Sequence, residues 1–130
     1  MKDYLKNKYQ LDSSPPYLMR VIAARNFVNL RKALKPNGIG PVEWRVIAAL
    51  REDAGCNIAF LAERTATDRS NLAIVIRQMV KAGLIERRPA KHDRRNVQLY
   101  LTELGRAKFE EVLPTVLEVI EESTAPLDEE

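Results

Sequence analysis

Apolar side chains recur at three- and four-residue steps from Tyr17 through Leu18, Val21, Ile22 and Val28 to Leu34, which predicts an amphipathic helix with one buried stripe. Ser14-Pro15-Pro16 opens it: Ser can accept free backbone N–H groups, and proline tolerates the first turn because no donor is needed there. Lys35-Pro36-Asn37-Gly38 stops it, since the residue before proline is pushed out of helical geometry. A second helix starts at Gly40-Pro41, with Glu43 in its first turn beside the positive helix end and Trp44, Ile47, Ala48 and Leu50 inward. Asp53-Ala54-Gly55 closes that helix. Asn57 is placed to cap a short third helix that turns Ile58, Phe60 and Leu61 inward. Thr65-Ala66-Thr67-Asp68 suits a turn and a new cap. A fourth helix then runs from about Arg69 to Ala82, with Leu72, Ile76 and Met79 at i, i+4, i+7 and Gly83 at its left-handed exit.

Beyond Gly83 the period changes to two. Leu84–Arg88 and Asn96–Leu101 are expected as strands, the second alternating Val97, Leu99 and Leu101 against Gln98 and Tyr100. Pro89 to Arg95 (PAKHDRR) then forms a polar hairpin loop. Thr102 caps a final helix with Leu104, Phe109, Val112, Leu113, Val116 and Ile120 on its apolar side, and Pro114 is expected to kink it. Residues 125–130 (APLDEE) form an acidic tail with no core to join. Two short helices, a tight turn, a helix with a polar start and a basic hairpin make a mainly α chain built on a winged helix-turn-helix with a two-stranded β-wing. The expected organisation is an N-terminal helical segment (1–35), the winged unit (36–101), and a C-terminal helix with its tail (102–130).

The net charge of +3 hides a strong segregation. Residues 64–95 carry nine basic and three acidic side chains, whereas residues 102–130 carry two basic and nine acidic. Positive potential concentrated in about thirty residues favours a polyanionic partner. The helix from Arg69 can lie in a major groove and offer Arg69, Ser70, Asn71 and Arg77 to base edges and phosphates. Arg94 and Arg95 at the loop tip can reach an adjacent minor groove, where a planar, weakly hydrated cation is favoured. Lys91 is a phosphate contact if the loop lies on the duplex. Arg87 and Arg88 fit phosphate contact and protection of the strand edge equally well, and Ser70 fits the helix cap as well as a phosphate. Arg20, Arg25, Arg31 and Arg45 read as surface or interhelical partners.

Other classes find little support. Apolar runs such as Val46–Leu50 and Leu72–Ile76 fall far short of the ~20 residues of a membrane span. The start, MKDYLKNKYQ, is polar where a secretory signal is apolar. One cysteine forms no internal disulfide and suits a reducing, cytoplasmic setting. Cys56 reads as a small apolar side chain rather than a redox sensor, and His92 has no companions for a metal site. No HExxH, CxxC, GxSxG or phosphate-binding glycine loop is present, and Glu110-Glu111 and Glu121-Glu122 read as a solvated face, so neither an enzyme nor a cofactor is expected.

Three stretches carry a family resemblance: GPVEWRVIAAL around Trp44, LAERTATDRSNL, and KAGLIERRPAKHDRRNVQLYLTELGR. Gly83–Arg88, Asp93-Arg94-Arg95 and Leu101–Gly105 are the most specific parts. Over roughly residues 11 to 123 the chain resembles the MarR (multiple antibiotic resistance regulator) family of bacterial transcription regulators. The resemblance implies a homodimer whose outer helices intertwine and set two winged units on a palindromic double-stranded DNA site. It implies control by a small, often aromatic or phenolic ligand, or by thiol oxidation, acting in the crevice between the dimer helices and the DNA-binding lobes, and the chain is expected to act as a repressor. By position, Ser70 and Asn71 match the polar start of the recognition helix. Asp93 and Arg95 match a D-x-R element in which the carboxylate steadies the wing and the arginine enters the minor groove, leaving Arg94 on the backbone. Position 74, often arginine in relatives, is Ile here. Relatives usually carry another long helix after a segment like APLDEE, so the expectation is either a smaller dimer built by the first helix and the kinked last one or a shortened chain. The alternative is a winged-helix protein-interaction module that has lost DNA binding.

Overall fold

The computed structural model describes residues 2–128. A short helix α1 (Lys2–Lys8) and a 3-10 turn (Leu11–Ser13) lead into the long α2 (Pro15–Leu34). Apolar periodicity does not announce α1; Asp3 in its first turn and Lys6 and Lys8 in its last complement the helix dipole. Ser14 makes no side-chain cap bond. Its carbonyl accepts from the Leu18 N–H at 2.9 Å, so the two prolines set the start of α2. After a 3-10 turn at Lys35–Asn37 come α3 (Pro41–Glu52), α4 (Ile58–Arg64), α5 (Arg69–Lys81), β1 (Ile85–Pro89), β2 (Val97–Leu101) and α6 (Glu103–Asp128).

The strands pair antiparallel, with Ile85 opposite Leu101 and Pro89 opposite Val97. Each begins one residue later than the pattern predicts. Leu84 spends its N–H on the Met79 carbonyl at the exit of α5, and Asn96 donates to the Asp93 carbonyl inside the loop. Gly83 takes φ +80° at that exit, a conformation only glycine adopts at little cost. The outer edge of β2 is covered: Gly55 N–H donates to the Leu99 carbonyl and Leu99 N–H to the Cys56 carbonyl, at 2.8 and 2.9 Å. The core sits under this hairpin, where Ile47, Leu50, Leu61, Leu72, Ile76 and Met79 are almost wholly buried.

Several positions expected inward face solvent instead. On α2 only Leu30 and Leu34 are buried, while Leu18 and Val28 are exposed and Tyr17, Val21 and Ile22 half-covered. The apolar stripe therefore exists but only its end meets the core. Ala48 is half-buried; Phe60 is exposed because Ile58, Leu61 and Ala62 share the inner face of α4 and position 60 lies off it. Val97, at the loop end of its strand, lies beyond the core edge and is exposed. On α6 the buried positions are Gly105, Phe109, Val112, Val116, Val119 and Ser123, at alternating steps of four and three. Leu104 and Ile120 each sit one place off that register and are exposed. The helix passes Pro114 without interruption and continues to Asp128 where a tail was expected; Glu129 and Glu130 lie outside the described residues.

The joint between the winged unit and α6 explains the Gly83–Leu84 and Leu101–Gly105 stretches. Thr102 donates its hydroxyl to the Gly83 carbonyl at 2.6 Å, while its oxygen accepts from the Gly105 N–H at 3.0 Å. Its own N–H bonds the Leu84 carbonyl at 3.1 Å. A Cβ at Gly105 would stand 2.3 Å from that same carbonyl, so only glycine lets the helix dock so closely. Farther along, Phe109 stacks on Trp44 with ring centroids 5.1 Å apart, and the Arg51 guanidinium lies 4.4 Å over the Phe109 ring.

Candidate nucleic-acid interface

The Asp68 carboxylate caps α5 by accepting the Asn71 N–H at 2.9 Å, so the cap comes from Asp68 and not from Ser70. Leu72, Ile76 and Met79 hold one face of α5 against the core, and the helix packs on α3, α4 and β1. Its opposite face presents Ser70, Ile74, Arg77, Gln78 and Lys81, all exposed, with Arg69 and Asn71 exposed in the first turn. Gln78 and Lys81 were missing from the sequence expectation, although both fall on the same 3.6-residue stripe as Ser70 and Arg77.

The wing is an ordered loop. The Asp93 carboxylate accepts the Arg95 N–H at 2.9 Å, and the Ala90 N–H donates to the Asn96 carbonyl at 2.9 Å. Asn57 joins the two halves of the site: its side-chain oxygen caps α4 through the Phe60 N–H, and its amide donates to the Asn96 side chain at 3.3 Å. Sequence reading identified Asn57 as a cap but missed Asn96, because a contact across 39 residues leaves no periodic signal.

Between α5 and the wing lies a cleft of about 450 Å³ whose floor is apolar (Ile58, Ile76, Leu99) and whose lining includes Arg77, Arg87 and Arg95. Three guanidinium groups from the helix, the first strand and the loop thus share one face. Among the described residues the ion pairs take Arg64, Arg88 and Lys108 and leave these three unneutralised. Lys91, His92 and Arg94 are exposed on the loop outside the cleft lining. Arg88 is different. It binds the Glu86 carboxylate at 2.7 Å and lies 4.3 Å over the Tyr100 ring. That hydrogen bond holds the Glu86 carboxyl below its ordinary range and raises Arg88. Arg88 is thus engaged with Glu86 and Tyr100 on the hairpin, while Arg87 lines the cleft.

The half-buried Cys56 thiol is pushed up by burial first and by the Asp53 carboxylate second, the reverse of what a reactive thiolate needs. Among the described residues no group of three His, Cys, Asp or Glu side chains is arranged to hold a metal. No helix there is long and apolar enough to cross a membrane. A second crevice, of about 560 Å³, opens between α2, α3 and α6. Phe27, Leu30, Trp44 and Ile120 supply its apolar walls and Arg20 and Arg45 its cations. Asn26, also in that lining, has a buried side-chain oxygen with no partner.

A family model described as MarR family matches residues 37–96, from the turn before α3 to the end of the wing loop. The HTH-type transcriptional repressor IacR of Pseudomonas putida is 23% identical over 127 residues, covering 98% of this chain and 76% of that protein. Among solved structures, a MarR family transcriptional regulator from Silicibacter pomeroyi superposes with a TM-score of 0.80 at 26% identity, covering 91% of this chain and 80% of the other. A mutant of MarR from E. coli, complexed with operator DNA, superposes with a TM-score of 0.76 at 24% identity, covering 84% of this chain and 79% of the other. That last likeness is one of fold.

Proposed function

This chain belongs to the MarR family of transcription regulators, and from that membership we propose that two copies grip one palindromic duplex site and repress transcription until a small ligand enters. Residues 1–35 and 102–130 supply the dimer helices in this reading, and residues 36–101 the DNA-binding lobe. The observation that carries it is the shared cleft of Arg77, Arg87 and Arg95, unneutralised and on one side of the molecule. α5 enters the major groove with Arg69, Ser70, Asn71 and Arg77, and the wing follows the minor groove with Arg95. Arg87, Lys91 and Arg94 meet phosphates, and Asp93 positions the wing. Two-fold symmetry then sets the half-sites about one helical turn apart.

The dimer reading is supported by apolar side chains that a single chain leaves uncovered on α2 and α6: Leu18, Met19, Phe27, Val28, Leu117 and Ile120. The crevice between α2, α3 and α6 suits an aromatic or phenolic ligand bearing an anionic group, with rings against Phe27 and Trp44 and the anion toward Arg20 or Arg45. Capture there favours a spacing of the lobes that no longer matches the half-sites. The protein acts where the chromosome lies, in the cytoplasm.

Titration of the full chain against duplex flanking its own gene, repeated at rising salt, tests the reading. Releasing six or more counterions makes affinity fall by about a thousandfold between 50 and 200 mM salt. Weak binding that ignores salt would leave the winged unit without a nucleic-acid role.

A further inference from the structure

We propose that Ile74 reads the C5-methyl group of a thymine in the major groove, an inference that rests on the DNA-binding reading above. Among the large apolar side chains of α5, Leu72, Val75, Ile76, Met79 and Val80 all join or pack against the core. Ile74 alone stays out, 46% exposed, in the middle of the stripe formed by Ser70, Arg77 and Gln78. Facing water, much of that isoleucine lies outside the core. Facing base edges, it has one partner of its own kind, since thymine is the base that presents a methyl group in the major groove. Its side chain has no donor or acceptor. Opposite cytosine or guanine it would desolvate an amino group or the N7 and O6 acceptors without replacing their hydrogen bonds. The position therefore selects thymine both by what it gains there and by what it strips from the alternatives. Polar neighbours at Ser70, Asn71 and Arg77 supply the hydrogen-bonding contacts around it.

The experiment uses the full chain and a random duplex pool. Once a bound sequence is selected, each thymine in turn is replaced by deoxyuridine, which keeps the base pair and removes only the methyl. Burial of one methyl-sized group corresponds to about a fourfold change in affinity per half-site. One thymine per half-site should show that loss with the wild-type chain. Ile74→Ala, an exposed change that leaves the core alone, should bind more weakly and show a smaller penalty for the replacement. Arg77→Ala should bind more weakly yet keep the methyl penalty. Indifference of the wild-type chain at every thymine, or an undiminished penalty in Ile74→Ala, overturns the inference while leaving DNA binding intact. A pool that yields no bound duplex overturns the DNA-binding reading itself, and this inference with it.

Discussion

In the winged lobe Val46, Ile47, Leu61 and Leu72 are fully buried, whereas along α2 Leu18, Met19, Phe27 and Val28 stay open to solvent. Both regions carry apolar residues at helical spacing. They differ in what lies opposite. Around the lobe three helices and a hairpin close on one another within about sixty residues, so every inward face finds a partner in the same chain. α2 packs chiefly along α6, and each of these helices has a second apolar edge that this pairing leaves free. In the proposed dimer these edges would meet their own counterparts, because under two-fold symmetry every contact occurs twice. The lobe finds its cover within the chain, with help from Leu30, Leu34 and Phe109 of the flanking helices, whereas part of the helical flank stays uncovered.

The largest effect is expected where that free edge is charged. Met19→Asp, away from the Arg20 and Arg45 crevice, should cost the proposed association about 3–5 kcal/mol by burying an unpaired carboxylate, and sedimentation should show monomers that no longer bind duplex DNA. A dimer of unchanged strength would place the interface elsewhere. The two regions should also answer truncation differently. Leu72→Ala in the closed core should lower unfolding stability by about 2–5 kcal/mol at any protein concentration. Leu18→Ala should change the isolated chain by less than about 0.5 kcal/mol, and in the proposed dimer should bring a larger loss that depends on concentration, because association would then cover that side chain.

Within the interface, Arg95→Ala should weaken duplex binding by about 1–3 kcal/mol at moderate salt. Asp93→Ala removes the hydrogen bond to the Arg95 N–H and should cost less, about 0.5–1.5 kcal/mol. The reverse order would mean that the loop's shape, and not the guanidinium, carries the contact. The smallest effect concerns Cys56. Burial and Asp53 raise its thiol, so the nucleophilic thiolate becomes populated only above the ordinary thiol range. Alkylation by iodoacetamide at neutral pH should be slower than that of free cysteine and should accelerate as pH rises past that range. Rapid labelling at neutral pH would contradict the raised value.

Elements with a complete local signature were legible in the chain. Asn57 and Asp68 are caps because a side-chain acceptor lies three residues before an N–H that the helix leaves free. Leu72, Ile76 and Met79 are core because their spacing lines one face, and Gly83 ends α5 because only glycine takes φ +80° cheaply. Misreadings arose where periodicity was right and the partner was missing. Leu18 and Val28 keep helical spacing but meet no surface in a single chain, and on α6 the choice between Val119 and Ile120 depends on which edge meets α2 and α3. The basic residues could be listed from the sequence but not sorted: Arg88 pairs with Glu86 and lies over Tyr100, while Arg87 lines the cleft.

Local chemistry thus determined the helices from α2 to α5, their stops at Lys35–Gly38, Asp53–Gly55 and Gly83, and the gathering of cations between residues 64 and 95, because caps, period and charge act over a few neighbouring residues. Tertiary structure alone decided that Arg77, Arg87 and Arg95 share one face, that Asn96 ties the wing to α4, and that Gly105 must lack a side chain. Those facts depend on distances between residues far apart in the chain, which are set only when the core closes.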